Sequence, residues 1–163
     1  MRDSTRLAGI QQNSLWDFAL VFYARPGVSQ CLLRLQDEVG MDVCVLLWRL
    51  WLNGHGLAPT EKAEKALAEV VAWQRDYTWP LRDRRRWLKS AAADDPALAR
   101  LRHTLKEAEL MAEKVALNRL EALSRQAGYV QKALPNEAHP LADTQAQSRD
   151  LTALWAQSRE PLR

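Results

Sequence analysis

The feature that most limits how this chain can fold is the segment at residues 43–52, VCVLLWRLWL, which contains one charged side chain, Arg49. It is too short to span a bilayer, which takes about 20 apolar residues. Asp42 stands before it as an N-cap, and Gly54 follows as a C-terminal stop. Because apolar side chains occupy nearly every position, such a helix must be enclosed by other elements. We therefore predict a buried central helix.

Two more apolar helices are predicted before this segment. Ser14 and Asp17 form a weak capping box, and the apolar residues after them end at Pro26. Residues 28–39 then repeat apolar side chains at three- and four-residue intervals and stop at Gly40. Residues 14–52 should thus form three short helices with tight turns between them.

The second half predicts longer and more polar helices. Thr60 is the N-cap of an amphipathic helix, and Thr78 with Pro80 indicates a break followed by a new helix. Asp95 precedes a proline and begins a helix expected over residues 96–127. Together these signals predict an all-α, single-domain bundle of about six helices, with one long C-terminal helix and a flexible tail.

Composition sets the predicted limits of the domain. We expect residues 1–13 to be a flexible arm, 14–130 the helical bundle, and 131–163 a mostly disordered tail rich in polar residues and proline. A short helix is possible near residues 143–158. There Leu151, Leu154 and Trp155 would form a small apolar patch.

Composition also bears on location. The chain is 47% hydrophobic and 26% charged, which is ordinary for a soluble globular protein. Its first residues lack the apolar core of a secretory signal, no segment is long and apolar enough for a membrane span, and Cys31 and Cys44 lack metal-type spacing. We expect a cytoplasmic protein that does not associate with membranes.

Several strings in the first three helices resemble a known family. WDFA at residues 16–19, YARPGV at 23–28 and GMDV at 40–43 are similar to an uncharacterised family of small bacterial proteins, described as a domain of unknown function. The resemblance is clearest over residues 14–57 and weaker to about residue 125. It implies a compact all-helical protein and carries no activity, cofactor or catalytic residue.

No catalytic motif is present in the sequence. There is no GxGxxG or P-loop pattern, no GxSxG elbow and no HExxH pair, and the three histidines lack companions at a strong metal-ligand spacing. We therefore predict no catalytic residues, no cofactor and no metal, and favour a protein that is not an enzyme.

One short segment carries most of the positive charge. Residues 82–89 contain five cations and one acid, a surplus of four, whereas the whole chain has a net charge of +3. This segment is either a solvated face or an interaction face for another protein or for RNA. Its cations are Arg82, Arg84, Arg85, Arg86 and Lys89.

Polar residues within the apolar first half form a second candidate site. Buried charges need partners, so Arg49 could pair with Asp17 or Asp37 as part of the core. Alternatively, these side chains line a pocket that binds or converts a small molecule. The candidates are Asp17, Tyr23, Arg25, Asp37, Arg49 and His55.

The absence of catalytic motifs and the local basic segment together favour a non-enzymatic cytosolic interaction protein, an adaptor or regulator. Its partner is expected to be another protein. A small-molecule-binding or enzymatic helical protein and an RNA-binding accessory protein are the alternatives. The long helix, whose leucines and alanines form a seam, could also mediate a homodimer.

Overall fold

The computed structural model describes residues 8–134 and 145–161, and it confirms the predicted all-α fold. Residues 8–12 are helical, and the seven longer helices are α1 (Leu15–Tyr23), α2 (Val28–Val39), α3 (Val43–Gly54), α4 (Glu61–Trp73), α5 (Trp79–Trp87), α6 (Pro96–Ser124) and α7 (Gln145–Ser158). Two three-residue strands, β1 (Leu57–Pro59) and β2 (Val130–Lys132), pair antiparallel. A π-helical turn joins α4 to α5. None of the described helices is long and apolar enough to cross a membrane.

Helix α3 is the centre of the bundle, as the sequence predicts. Trp48, Leu50 and Leu52 are each 0% exposed, and α1, α2, α6 and α7 all contact the helix. Asp42 is its N-cap, with Oδ1 accepting hydrogen bonds from the backbone N–H groups of residues 44 and 45 at 2.9 and 3.2 Å. The helix includes Gly54, which was predicted to stop it, and the chain turns two residues later at a glycine with φ of +69°.

Three further predicted N-caps, Ser14, Thr60 and Asp95, are also present. Ser14 accepts from the N–H of Asp17 at 3.0 Å, and Thr60 accepts from residue 63 at 3.4 Å. Asp95 accepts from the N–H groups of residues 97 and 98 at 2.8 and 3.2 Å. Local side-chain chemistry therefore defines where α1, α4 and α6 begin.

The predicted break at Thr78 is wrong. Thr78 has helical φ and ψ angles and makes no capping hydrogen bond, and the chain passes from α4 through the π-helical turn Gln74–Thr78 into α5. A proline ring in an α-helix clashes with the carbonyl four residues earlier. For Pro80 that carbonyl belongs to Asp76, which lies in the wider π turn. The helix therefore continues through a proline that would normally end it.

The packed domain is larger at both ends than residues 14–130. Ile10 is 2% exposed, and Leu151 and Leu154 of α7 are 0% and 1% exposed. The Arg25 guanidinium donates to carbonyl oxygens at the end of α7 and just beyond it, including that of Pro161 at 2.9 Å. Helix α7 lies where a short helix was predicted near residues 143–158, and its leucines belong to the core rather than to a separate patch in a mostly disordered tail. The rest of the predicted arm and tail lies outside the described residues.

The backbones of α3 and α7 approach closely at Gly54, and this contact predicts the effect of a substitution there. A Cβ added at Gly54 would lie 2.6 Å from the carbonyl oxygen of Ser158. A Gly→Ala change in a helix usually stabilises it by about 1 kcal/mol. We expect Gly54→Ala instead to lower the free energy of unfolding by about 1 to 3 kcal/mol, because the two backbones must separate.

Urea denaturation and amide hydrogen exchange test this prediction. Protection should fall in α7 much more than in the middle of α6, which serves as the internal control. A stabilised Gly54→Ala protein would show that the contact is not tight.

Candidate functional site

A cleft of about 420 Å³ opens between α1, α2, α3, α5 and α6. One wall is apolar and is formed by Ala19, Leu47 and Leu117, which are buried. Leu20 and Leu33 lie on its rim and are 51% and 41% exposed. The cleft therefore combines a buried apolar wall with an apolar entrance.

The opposite wall carries four charged side chains that we call the Arg–Glu cluster: Arg82, Arg85, Glu109 and Glu113. Arg82 donates from Nε to Glu109 at 2.9 Å and from Nη2 to Glu113 at 2.7 Å. Arg85 donates from Nε and Nη2 to the two oxygens of Glu109, at 2.5 and 3.2 Å. The side chains of Arg82 and Glu109 are only 11% and 8% exposed. Glu109 thus accepts from both guanidinium groups in a largely buried setting.

Helical spacing explains why these groups meet. Helices α5 and α6 pack against each other. Arg82 and Arg85 are three residues apart and Glu109 and Glu113 four apart, so each pair lies on one face of its helix. The two faces are opposed, and the ion pairs form between them.

Their surroundings shift the two glutamate pKa values in opposite directions. Burial tends to raise the pKa of Glu109, but hydrogen bonds and charge from Arg85 and Arg82 bring it below the ordinary value. Burial raises the pKa of Glu113, and Arg82 opposes this only in part. Tyr23, which also lines the cleft, has a raised pKa because of burial and the nearby Glu113. Two acids whose environments separate their pKa values are a feature of many functional sites.

A second polar layer lies behind the cleft. Gln74 and Thr78 precede Arg82 at four-residue steps, and both are almost fully buried. Gln74 donates to Asp42 at 3.2 Å. The Oδ2 atom of Asp42, Oε1 of Gln74 and Oγ1 of Thr78 have no hydrogen-bond partner among the described residues. Cys44 lies between the two layers, since it lines the cleft and is near Gln74. Burial raises the pKa of its thiol.

The structure divides the predicted basic face. Arg82 and Arg85 belong to the Arg–Glu cluster, and Arg86 lines the cleft while donating to Asp37 at 2.8 Å. Arg84 and Lys89 are exposed and form no ion pair with a described residue. Three of the five predicted cations therefore line a concave site and are paired with acids within the same chain.

The predicted pocket residues do not come together, and Tyr23 alone of the six lines the cleft. Arg49 pairs with Glu64 at 2.6 Å, so its predicted pairing with Asp17 or Asp37 is wrong. Glu64 lies 15 residues after Arg49, on the amphipathic helix α4.

The other predicted pocket residues have separate structural contacts. Asp17 bonds the Ser14 hydroxyl at 2.7 Å, and Arg25 binds the end of α7. His55 packs edge-on against Trp51 with ring centroids 5.6 Å apart, and burial lowers its pKa.

Sequence reasoning missed Glu109 and Glu113, the two acids that define the site. They lie on α6, whose leucines and alanines predicted a seam that could mediate a homodimer. Their signal was the four-residue spacing of two acids beside the buried Ala112. Such spacing also occurs on many solvated helices. Only the packing of α5 against α6 shows that these two acids face the arginines of a cleft.

Comparison with known proteins identifies the family. A model of the family described as "Protein of unknown function (DUF2390)" matches residues 14–120. The chain belongs to this family. The DUF2390 match confirms the resemblance seen in the sequence, and it spans helices α1 to α5 and most of α6, including the whole Arg–Glu cluster. No curated protein and no solved structure matches the chain. Among the described residues, no group of three or more His, Cys, Asp or Glu side chains could hold a metal ion.

The buried position of Glu109 leads to a stability prediction. Replacing it by glutamine leaves two guanidinium groups without their shared carboxylate, and breaking a buried ion pair on one side typically costs 3 to 5 kcal/mol. We expect Glu109→Gln to lower the free energy of unfolding by about 3 kcal/mol in urea denaturation. Glu107→Gln is the matched control, because that side chain is 64% exposed, and should change it by less than about 0.5 kcal/mol.

Acidification gives the Glu109→Gln comparison a second readout. Because the folded-state pKa of Glu109 is lowered, its carboxylate stabilises the fold fully above the unfolded-state pKa of about 4.3. That stabilisation is lost as pH falls through the lowered folded-state pKa. The difference between wild type and Glu109→Gln should shrink over this acidic range, and a difference independent of pH would contradict the assignment.

Proposed function

We propose that this DUF2390 protein binds a small molecule in the cleft between α1, α2, α3, α5 and α6. The observation that supports this proposal is one concave site with an apolar wall facing the Arg–Glu cluster. Ligand sites are typically clefts of about 300 to 1,000 Å³ that combine apolar lining with a few polar groups. The cleft, at about 420 Å³, falls within this range.

The energetics of the cluster favour a role beyond packing. A buried ion pair is seldom more stabilising than well-packed apolar side chains of similar volume. Here two arginines and two glutamates occupy such positions beside an open cavity, where apolar residues would close the core. A ligand that uses these polar groups gives a reason for keeping them there.

The same contacts argue against a broad basic docking face. Arg82, Arg85 and Arg86 each donate to an acid of the same chain, so much of their charge is locally compensated. A partner that bound all five predicted cations would have to displace three acids. A small molecule in the cleft can bind without displacing these acids.

A neutral fluorescent probe, N-phenyl-1-naphthylamine, tests the cleft directly. Leu33→Trp places a large ring at the rim and should weaken binding of the probe by about tenfold or more, since a ring there occupies cleft volume. Val71→Trp is the matched control, because that helical residue is 37% exposed and does not line the cleft. Fluorescence titration without saturable binding, or equal binding by both variants, would contradict the proposal.

A second candidate function is interaction with an acidic partner through the exposed edge of α5. Trp87 is 77% exposed, and Arg84 lies three residues before it on the same side of the helix, with Lys89 just beyond the helix end. An exposed tryptophan beside two cations that form no ion pair with a described residue suits a protein partner and also stacking on RNA bases. This edge retains the adaptor or regulatory role favoured by the sequence.

Charge reversal at this edge separates it from the cleft. The double variant Arg84→Glu with Lys89→Glu should abolish capture of a partner from a native lysate. The control is Lys65→Glu with Arg100→Glu, which makes the same charge change on other exposed residues and should leave capture unchanged. Nuclease treatment distinguishes RNA from protein, and an RNA partner should show steep salt dependence. Equal capture by both double variants would contradict this candidate.

A further inference from the structure

We infer that the ligand of the cleft is an amphipathic carboxylate, with an apolar chain against the leucine rim and a single negative head group against Arg82 and Arg85. This inference rests on the proposed function and specifies its ligand class. It depends on three features of the cleft: its charge balance, its unused hydrogen-bond donors and its apolar entrance.

The charge balance of the lining favours an anion. Four cationic side chains, Arg82, Arg85, Arg86 and Lys106, and two acidic ones, Glu109 and Glu113, line the cleft, which leaves an excess of two positive charges. Asp37 pairs with Arg86 from outside the lining and reduces the excess to one. A monoanion would neutralise the remaining charge, whereas a cation would add to it.

Unused donors in the Arg–Glu cluster can bind the head group. Both arginines use Nε and Nη2 to bind glutamates, while neither Nη1 group donates to an acceptor among the described residues. Guanidinium N–H groups match the geometry of a carboxylate and form charge-assisted hydrogen bonds with it. A ligand carboxylate can therefore bind without breaking the existing ion pairs.

The entrance to the cleft suits an alkyl chain. Leu20 of α1, Leu33 of α2 and Leu110 of α6 all line it and are 51%, 41% and 48% exposed. Three large apolar side chains from separate helices thus face solvent around one opening. An alkyl chain that covered them would remove this apolar surface from water.

The volume indicates the size of a ligand that the cleft can enclose completely, and a larger molecule would extend past the rim. If each non-hydrogen atom takes about 30 Å³, as a water molecule does in the liquid, the cleft of about 420 Å³ holds on the order of 14 atoms. A chain of about ten to twelve carbons with a carboxylate has this size. Decanoate is therefore a suitable probe.

Isothermal titration calorimetry with probes of equal chain length tests the assignment. Decanoate should bind about tenfold or more tightly than 1-decanol, and decyltrimethylammonium should bind most weakly, because only the carboxylate gains charge-assisted hydrogen bonds. Decyl phosphate is the fourth probe. If it binds more tightly than decanoate, the carboxylate assignment is overturned.

Variants locate the head group. Arg85→Gln should reduce the preference for decanoate over 1-decanol by about tenfold, because only the carboxylate uses the guanidinium. Arg84→Gln, on the exposed side of the same helix, should leave this preference unchanged. If Arg85→Gln does not fold, Arg85→Lys retains the charge, removes the planar fork and should also reduce this preference.

The outcomes separate this inference from the proposed function. Equal affinity for decanoate and 1-decanol, with the neutral probe still excluded by Leu33→Trp, would overturn the carboxylate class and leave the cleft as a ligand site. Failure of the neutral probe to bind would instead count against the proposed function. A preference for decanoate over 1-decanol that survives Arg85→Gln unchanged would also overturn the inference.

Discussion

The enclosure of α3 is the constraint on which the rest of this structure depends. A helix with apolar side chains on all faces is stable only when other elements cover every side. Helices α1 and α2 cover it locally, and α6 and α7 complete the shell from distant parts of the chain. The long helix and the C-terminal helix are therefore required by the first fifty residues, although neither lies near them in sequence.

Polar groups on α3 specify which element covers each side. The indole N–H of Trp48 donates to the Ser124 hydroxyl of α6 at 2.7 Å, and that of Trp51 donates to the carbonyl of Asn13 at 3.2 Å. Asn53 donates to the Ser158 hydroxyl of α7 at 2.8 Å. Apolar burial alone would tolerate several arrangements of the shell. Buried polar groups must be satisfied, and these bonds favour one arrangement.

The cleft lies where the helices around α3 present polar side chains, between α5 and α6. The inner face of the continuous helix from α4 to α5 carries Gln74, Thr78 and Arg82 at four-residue steps. Gln74 donates to Asp42, and Arg82 donates to the two glutamates of α6. The π-helical turn lets that helix continue through Pro80, and α5 then lies against α6. The basic segment, conspicuous in the sequence as surface charge, is thereby turned largely toward an internal site.

The sequence by itself determined the helical fold, the central position of residues 43–52 and the caps at Asp42, Ser14, Thr60 and Asp95. These features depend on side chains within a few residues of one another, so local physical rules are sufficient to predict them. The sequence also singled out Arg82, Arg85 and Arg86 by charge and Tyr23 by its apolar surroundings.

Only the tertiary structure decided how the charged residues pair and where the cleft lies. Glu109 is 24 residues from Arg85, and Glu64 is 15 from Arg49. No periodicity within one helix selects among the acids on other helices, because partner choice depends on how those helices pack. The burial of α7 was undecided for the same reason. Its few apolar side chains become core only when α2 and α3 supply the surface that they cover.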